Sequence, residues 1–229
     1  AVLGSTGSIG TSALEVIEGA EGRLRAVGLS AHRSTQLLEQ QAAQFGPAWI
    51  AVTDEEAATE HNWDSLCREV ECLVGQDALE EAVRRDDVDI VLAAIVGSAG
   101  LRSTWAALDA GKTVALANKE TLVMAGSLAT ELAAERGASI LPVDSEHCAI
   151  FQALDAGRKQ DVKRIVLTAS GGPFRKYSTD QLQHVTIEDA LNHPTWDMGP
   201  KITVDSATMM NKALEVIEAR WLFDLPVEQ

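Results

Sequence analysis

Asp144-Ser145-Glu146 sets two carboxylates two positions apart, and a third, Glu215, lies sixty-nine residues beyond Glu146. Like-charged carboxylates brought close repel unless a cation sits between them, and hard oxygen donors suit Mg2+ or Mn2+. In an extended segment residues two apart point the same way, so Asp144 and Glu146 can converge on one point. The plainer alternative is a pair of acids at the start of a helix expected over residues 147–156. Glu215 is what would turn the pair into a site. It belongs to the run from Asp205 to Glu218, which reads as a helix with Asp205 or Ser206 as N-cap. Asn211, Lys212 and Glu215 are spaced three and four apart and share one face. Met210, Leu214, Ile217 and Trp221 follow the same period on the opposite, core-facing side. An amide, an ammonium and a carboxylate beside a hydroxyl-bearing helix start form a cradle for an anion and a metal. Taken alone, such a face is more often solvated and held by one salt bridge.

Two glycine-punctuated loops flank this helix in sequence. Ser170-Gly171-Gly172-Pro173-Phe174-Arg175 follows an apolar stretch read as a strand over 163–169, and its N–H groups suit a phosphate. His193-Pro-Thr-Trp196-Asp-Met198-Gly199 carries large apolar groups that either close over a ligand or plug the core. Ala117-Asn118-Lys119-Glu120-Thr121 follows another strand end, where an amide, a lysine and a carboxylate can meet cofactor and substrate, although such a cluster more often just opens a helix.

The first residues add a nucleotide signal. Ala1-Val-Leu3 reads as a buried strand, Gly4-Ser-Thr6-Gly7-Ser8-Ile9-Gly10 as a turn, and residues 11–18 as a helix. That order is the context of a dinucleotide fingerprint, with the pyrophosphate on the helix N-terminus. The spacing is Gly-x-x-Gly-x-x-Gly, so a merely tight turn remains an alternative. The second strand, expected over 24–30, ends in His32, Arg33 and Ser34 where an NAD site carries an acid. An imidazole, a guanidinium and a hydroxyl suit a 2′-phosphate, which favours NADP(H); the alternative is that Arg33 is an exposed charge at a helix start.

These groups are positioned by a regular alternation. Helices at about 34–45, 54–60, 76–84, 101–110 and up to 136 separate apolar runs at 49–52, 71–74, 89–95, 113–117 and 139–143. Nearly continuous apolar strands between helices predict α/β architecture, a Rossmann-like doubly wound, mostly parallel sheet. A second α/β (α+β) unit follows, beginning with the acidic pair, in which residues 178–192 form short polar helices.

Composition bounds the partners. A net charge of −15 argues against nucleic acid and anionic membranes. No apolar run approaches the roughly 20 residues that span a bilayer. Cys67, Cys72 and Cys148 make no CxxC pair and read as reduced thiols in a cytoplasmic-type compartment.

With these motifs in order, the chain resembles the 1-deoxy-D-xylulose 5-phosphate reductoisomerase family. The resemblance rests on Gly4–Gly10, residues 117–121, Asp144-Ser-Glu-His147, residues 170–174 and residues 193–218. It implies an NADP-dependent enzyme that rearranges and reduces 1-deoxy-D-xylulose 5-phosphate to 2-C-methyl-D-erythritol 4-phosphate in the non-mevalonate isoprenoid pathway. NADPH and a divalent cation (Mg2+ or Mn2+) would be its cofactors. The resemblance makes Asp144, Glu146 and Glu215 the metal ligands, catalytic together with Lys119. Lys119, Ser145, Glu146, Ser170, His193, Trp196, Ser206, Asn211, Lys212 and Glu215 would contact substrate. Thr6, Gly7, Ser8, Ile9, His32, Arg33, Ser34, Asn118, Glu120 and Gly199 would line the cofactor. It further implies an NADPH-binding domain over 1–143, a catalytic domain over 144–229 with a lid at about 170–200, a C-terminal helical domain beyond this sequence, and a homodimer. A related reductase with another phosphorylated substrate and a non-catalytic NADP-binding module are the rival readings.

Overall fold

The computed structural model describes residues 1–64, 66, 69–196 and 198–226. It divides into two compact units, Ala1–Asp144 and Ser145–Gln229.

The first unit is a seven-stranded, wholly parallel sheet. In chain order it runs β1 (Val2–Leu3), α1 (Ser8–Gly19), β2 (Gly28–Ala31), α2 (Thr35–Phe45), β3 (Trp49–Val52), α3 (Glu55–Glu60) and β4 (Glu71–Val74). It continues through α4 (Gln76–Val83), β5 (Ile90–Ala93), α5 (Ala99–Asp109), β6 (Thr113–Leu116), α6 (Lys119–Arg136) and β7 (Ser139–Pro142). The strand order is β4-β3-β2-β1-β5-β6-β7. Parallel neighbours need right-handed crossovers, so α1 to α3 cover one face, and the reversal after β4 sends α4 to α6 to the other. On that second face α4 packs against α5 and α5 against α6.

Burial drives the arrangement: Leu3, Leu29, Trp49, Val91 and Val114 are excluded from solvent along the strands, as are Leu38, Leu79, Leu108 and Leu122 on the helices. The direction of the chain reverses between β1 and β5, where Leu3 lies opposite both Ser30 and Ala93. In open α/β sheets this switch point is where ligands bind, at the carboxyl ends of the strands. The glycine turn sits there. Gly4 has φ +77°, and a Cβ on it would stand 2.8 Å from the Ala94 carbonyl oxygen. A Cβ on Gly10 would stand 2.3 Å from the Gly4 oxygen, so α1 can start this close to the turn only with glycine there.

Several boundaries differ from expectation. Helix α1 begins at Ser8, three residues early, with Gly7 as its N-cap. Strand β2 begins at Gly28, where pairing with Trp49 starts, so residues 24–27 fall outside it. Of the cysteines, Cys148 is free, but Cys72 is disulfide-bonded and the reduced-thiol reading fails for it. Sequence spacing does not decide a bridge; proximity in the folded chain does. Cys67 lies outside the described residues.

The second unit contains α7 (Ser145–Asp155), a 3-10 turn at Lys159–Asp161, α8 (Thr179–Leu182), α9 (Ile187–Leu191), α10 (Pro200–Ala207) and α11 (Met210–Phe223). Helix α11 packs on α7 and α10, and α10 on α9. The strand expected over 163–169 is not formed, because a strand exists only through pairing and no strand among this unit's described residues offers a partner. Asp205 and Ser206 do not cap the last helix; they end α10, where Lys201 and Asp205 pair at 2.8 Å. The true N-cap of α11 is Met209, at φ +62°. Left-handed backbone at a methionine costs on the order of 1–3 kcal/mol.

The core face of α11 also differs from its hydrophobic period. Leu214 and Phe223 are buried, but so are Glu215 and Glu218, while Met210 and Ile217 are 47% and 40% exposed. A helix selects its buried face by what its neighbours offer, and α7 offers polar partners here.

Candidate active site

In the first unit the glycine turn leads directly into the first turn of α1. The turn folds on itself through the Gly7 N–H to Gly4 O bond, and Thr11 N–H returns to Gly7 O, both near 3.0 Å. Gly7 makes no side-chain cap. No carboxylate or hydroxyl at the cap therefore competes for the first-turn N–H groups of Ser8, Ile9 and Gly10, as an anion site requires. Thr6, Gly7, Ser8 and Ile9 all lie on this turn.

His32 and Arg33 follow β2 and are largely exposed, at 70% and 58%. His32 Nδ1 bonds Thr53 Oγ1 at 3.0 Å. Arg33 donates from Nη2 to Glu56 Oε2 at 2.8 Å, and its Nε lies 3.6 Å from Asp54 Oδ2. Ser34 is the N-cap of α2, with its hydroxyl uncommitted to the helix.

Asn118 caps α6: its oxygen accepts from the N–H of Thr121 at 2.8 Å, and its amide donates to the Ile95 and Gly97 carbonyls at 2.7 and 2.9 Å. The same amide reaches Glu120 Oε2 at 3.0 Å. Asn118 thus ties the end of β5 to the start of α6 and fixes the orientation of Lys119 beside it. Lys119 is buried, and its ammonium pairs with Asp144 Oδ2.

The second unit brings residues from distant parts of its sequence together. Ser145 and Glu146 occupy the first turn of α7, not an extended segment, because the helix begins two residues before the expected His147. Lys212 Nζ donates to Glu146 Oε1 at 3.0 Å and to Glu215 Oε2 and the Thr168 carbonyl. Asn211 Nδ2 donates to Glu215 Oε1 at 2.5 Å, and Ser145 Oγ to Glu146 Oε2 at 2.6 Å. Burial raises the Glu146 carboxyl, but the bonds from Ser145 and Lys212 outweigh it and hold the group below its ordinary value. Glu146 is therefore ionised at neutral pH.

Glu146, Ser170, Ser206, Asn211 and Lys212 line one small recess. His193 Nδ1 accepts the N–H groups of Thr195 and Trp196 at 3.2 and 3.0 Å. That assigns the ring proton to Nε2, which donates to Ser170 Oγ at 3.1 Å. Ser170 Oγ also accepts from Gly172 N–H at 3.2 Å. Its own hydroxyl proton is left for an acceptor such as a phosphate oxygen. Trp196 is 63% exposed, which removes the core-plug reading for it. Met198 is half-buried, and Gly199 caps α10. Asp197 lies outside the described residues.

Sequence reasoning missed His147 and Glu218. His147 is fully buried; its Nε2 donates to the backbone oxygen of Glu215 at 2.9 Å, and Glu218 Oε2 lies 4.0 Å from Nδ1. Phe223 meets the ring edge-on at 6.2 Å. This contact pins α7 to α11 and so fixes where Glu146 and Glu215 stand. The available signal was the spacing of Glu215 and Glu218, which puts a second acid on the same helical face.

Residues 1–126 match the family model for 1-deoxy-D-xylulose 5-phosphate reductoisomerase, and residues 140–223 the model of its C-terminal domain. The chain belongs to the 1-deoxy-D-xylulose 5-phosphate reductoisomerase family. The reductoisomerase of Geotalea daltonii is 51% identical over 228 residues, and that of Chlorobium chlorochromatii 52%. Both alignments cover 100% of this chain, which spans 59% and 60% of the two relatives. Among solved structures, a DOX-P reductoisomerase with NADPH, fosmidomycin and magnesium superposes with a TM-score of 0.91 at 43% identity, over 100% of this chain and 59% of its own. The Zymomonas mobilis reductoisomerase with NADPH gives 0.89 at 45%, over 99% and 58%.

Proposed function

We propose that this reductoisomerase-family chain carries the cofactor, metal and substrate groups of an enzyme converting 1-deoxy-D-xylulose 5-phosphate to 2-C-methyl-D-erythritol 4-phosphate with NADPH. The observation that carries the reading is the junction of Glu146 and Glu215 at the Lys212 ammonium, beside a recess of phosphate-binding character.

The carboxylates fit a divalent cation. Two acids already share a positive charge, Glu146 is ionised at neutral pH, and Asn211 Oδ1 is a buried acceptor with no hydrogen-bond partner among the described residues. Asp144, Glu146 and Glu215 are the proposed ligands of Mg2+ or Mn2+. Such an ion, when bound, polarises a carbonyl and stabilises oxyanion charge. NADPH, when bound, supplies hydride.

The chain's own residues do the rest. The α1 turn (Thr6, Gly7, Ser8, Ile9) receives the pyrophosphate, and His32, Arg33 and Ser34 receive the 2′-phosphate. Asn118, Glu120 and Gly199 complete the cofactor site. Ser170, Ser206, Asn211 and Lys212 hold the substrate phosphate, with His193 donating into the same network. Ser145 and Lys119 orient the carbon chain, Lys119 carrying the positive charge that Asp144 keeps in place. Trp196 and Met198 close over the substrate and exclude water from hydride transfer. The partner is thus a small phosphorylated sugar. We further propose a homodimer in a bacterial-type cytoplasm. No described helix is long and apolar enough to cross a membrane.

The test is NADPH oxidation with 1-deoxy-D-xylulose 5-phosphate, with and without Mn2+. Metal-dependent turnover that falls more than tenfold in Glu215→Gln supports the reading. NADPH binding without any metal-dependent turnover favours the non-catalytic module instead.

A further inference from the structure

We propose that Glu56 is a specificity-determining residue for the nicotinamide cofactor: it competes with the 2′-phosphate for Arg33 and so limits the preference for NADPH over NADH. The proposal rests on the NADP(H) reading of His32, Arg33 and Ser34.

Helix α3 follows β3, the strand next to β2, and its first residues face the end of β2. Asp54 caps α3 by accepting Ala57 N–H at 2.8 Å. It is only 17% exposed and stands 3.6 Å from Arg33 Nε and 3.8 Å from His32 Nε2. Asp54 is committed to the fold and sets the approach of both cations. Glu56 is different. It is 70% exposed, sits in the first turn of α3, and takes Arg33 Nη2 at 2.8 Å. No other contact among the described residues anchors its carboxylate.

A phosphate monoester carries about −1.5 to −2 charge at pH 7. To bind the same guanidinium it must either take Nη2 from Glu56 or sit beside that carboxylate at the remaining N–H groups. Either effect opposes the 2′-phosphate alone. A ribose 2′-hydroxyl is neutral and meets neither, so NADH is insensitive to Glu56. Exposed ion pairs contribute little, so the gain on removing this one is small but measurable.

The probes are 2′,5′-ADP and 5′-ADP, titrated by calorimetry into the 229-residue chain and its variants. Glu56→Gln is expected to tighten 2′,5′-ADP by about two- to fivefold and leave 5′-ADP unchanged. Glu60→Gln, an equal loss of charge on the same helix, is expected to change neither. Unchanged or weaker 2′,5′-ADP binding in Glu56→Gln, or an equal gain in Glu60→Gln, overturns the proposal while leaving the NADP(H) reading intact. Wild-type chain that binds 2′,5′-ADP no better than 5′-ADP overturns both.

Discussion

Lys212 stands 3.0 Å from Glu146, sixty-six residues away in sequence, and the same ammonium reaches Glu215. One positive charge therefore holds together two acids that would otherwise repel. Its side chain is 16% exposed and that of Glu215 1%, so water screens the group weakly. Removing the ammonium leaves two poorly solvated carboxylates facing each other. Lys212→Met is expected to cost about 3 kcal/mol of stability in urea unfolding. Millimolar Mn2+ is expected to restore part of the loss, because a divalent ion supplies the missing charge. No loss, or no response to Mn2+, counts against this electrostatic account.

The glycine turn offers a contrast within seven residues. A Cβ on Gly10 meets the Gly4 oxygen at 2.3 Å, whereas on Gly7 it meets the same atom at 3.4 Å, an ordinary contact. Gly10→Ala is expected to lower stability by about 1–3 kcal/mol and weaken NADPH binding at least tenfold. Gly7→Ala is expected to leave the melting temperature nearly unchanged, so any effect on NADPH affinity reports ligand contact. Thermal melts paired with NADPH titrations separate the two.

Acid stability of the first unit depends on Asp109. Its carboxylate, at the end of α5, takes Arg84 Nη1 at 2.6 Å and Arg136 Nε at 3.1 Å, joining the ends of α4, α5 and α6. The Arg84 bond, then Arg136, hold its pKa below the ordinary 3.8. A carboxyl depressed in the folded state stabilises above its unfolded value and loses that contribution as pH falls through the folded one. Unfolding midpoints in urea measured below pH 4 are therefore expected to fall less steeply in Asp109→Asn than in the wild type.

The sheet was legible in sequence because its signal is local. Apolar runs such as 49–52 and 113–116 have one structural use, and the turn residues between them mark the crossovers. Asn211, Lys212 and Glu215 were legible for the same reason: helical spacing alone puts them on one face. The reading failed where partners decide. Residues 163–169 have strand composition but no neighbouring strand among the described residues. Met210 and Ile217 have the right period for a core, yet α7 presents His147 to the other face of α11, and Glu215 and Glu218 are buried instead. His147 itself carries no sequence signal of burial, since a polar residue goes inside only where its hydrogen bonds are met. The ion pairs of Arg33 with Asp54 and Glu56 depend on which strands are neighbours, which spacing along the chain does not reveal.

Glu215, together with Glu146 and Asp144, is a proposed ligand of one divalent cation. The direct measurement is depletion of the free Mn2+ electron paramagnetic resonance signal by the wild-type chain and by Glu215→Gln. One bound ion per wild-type chain and at least a tenfold weaker dissociation constant in the variant are expected. Equal Mn2+ affinity in both proteins would contradict that assignment.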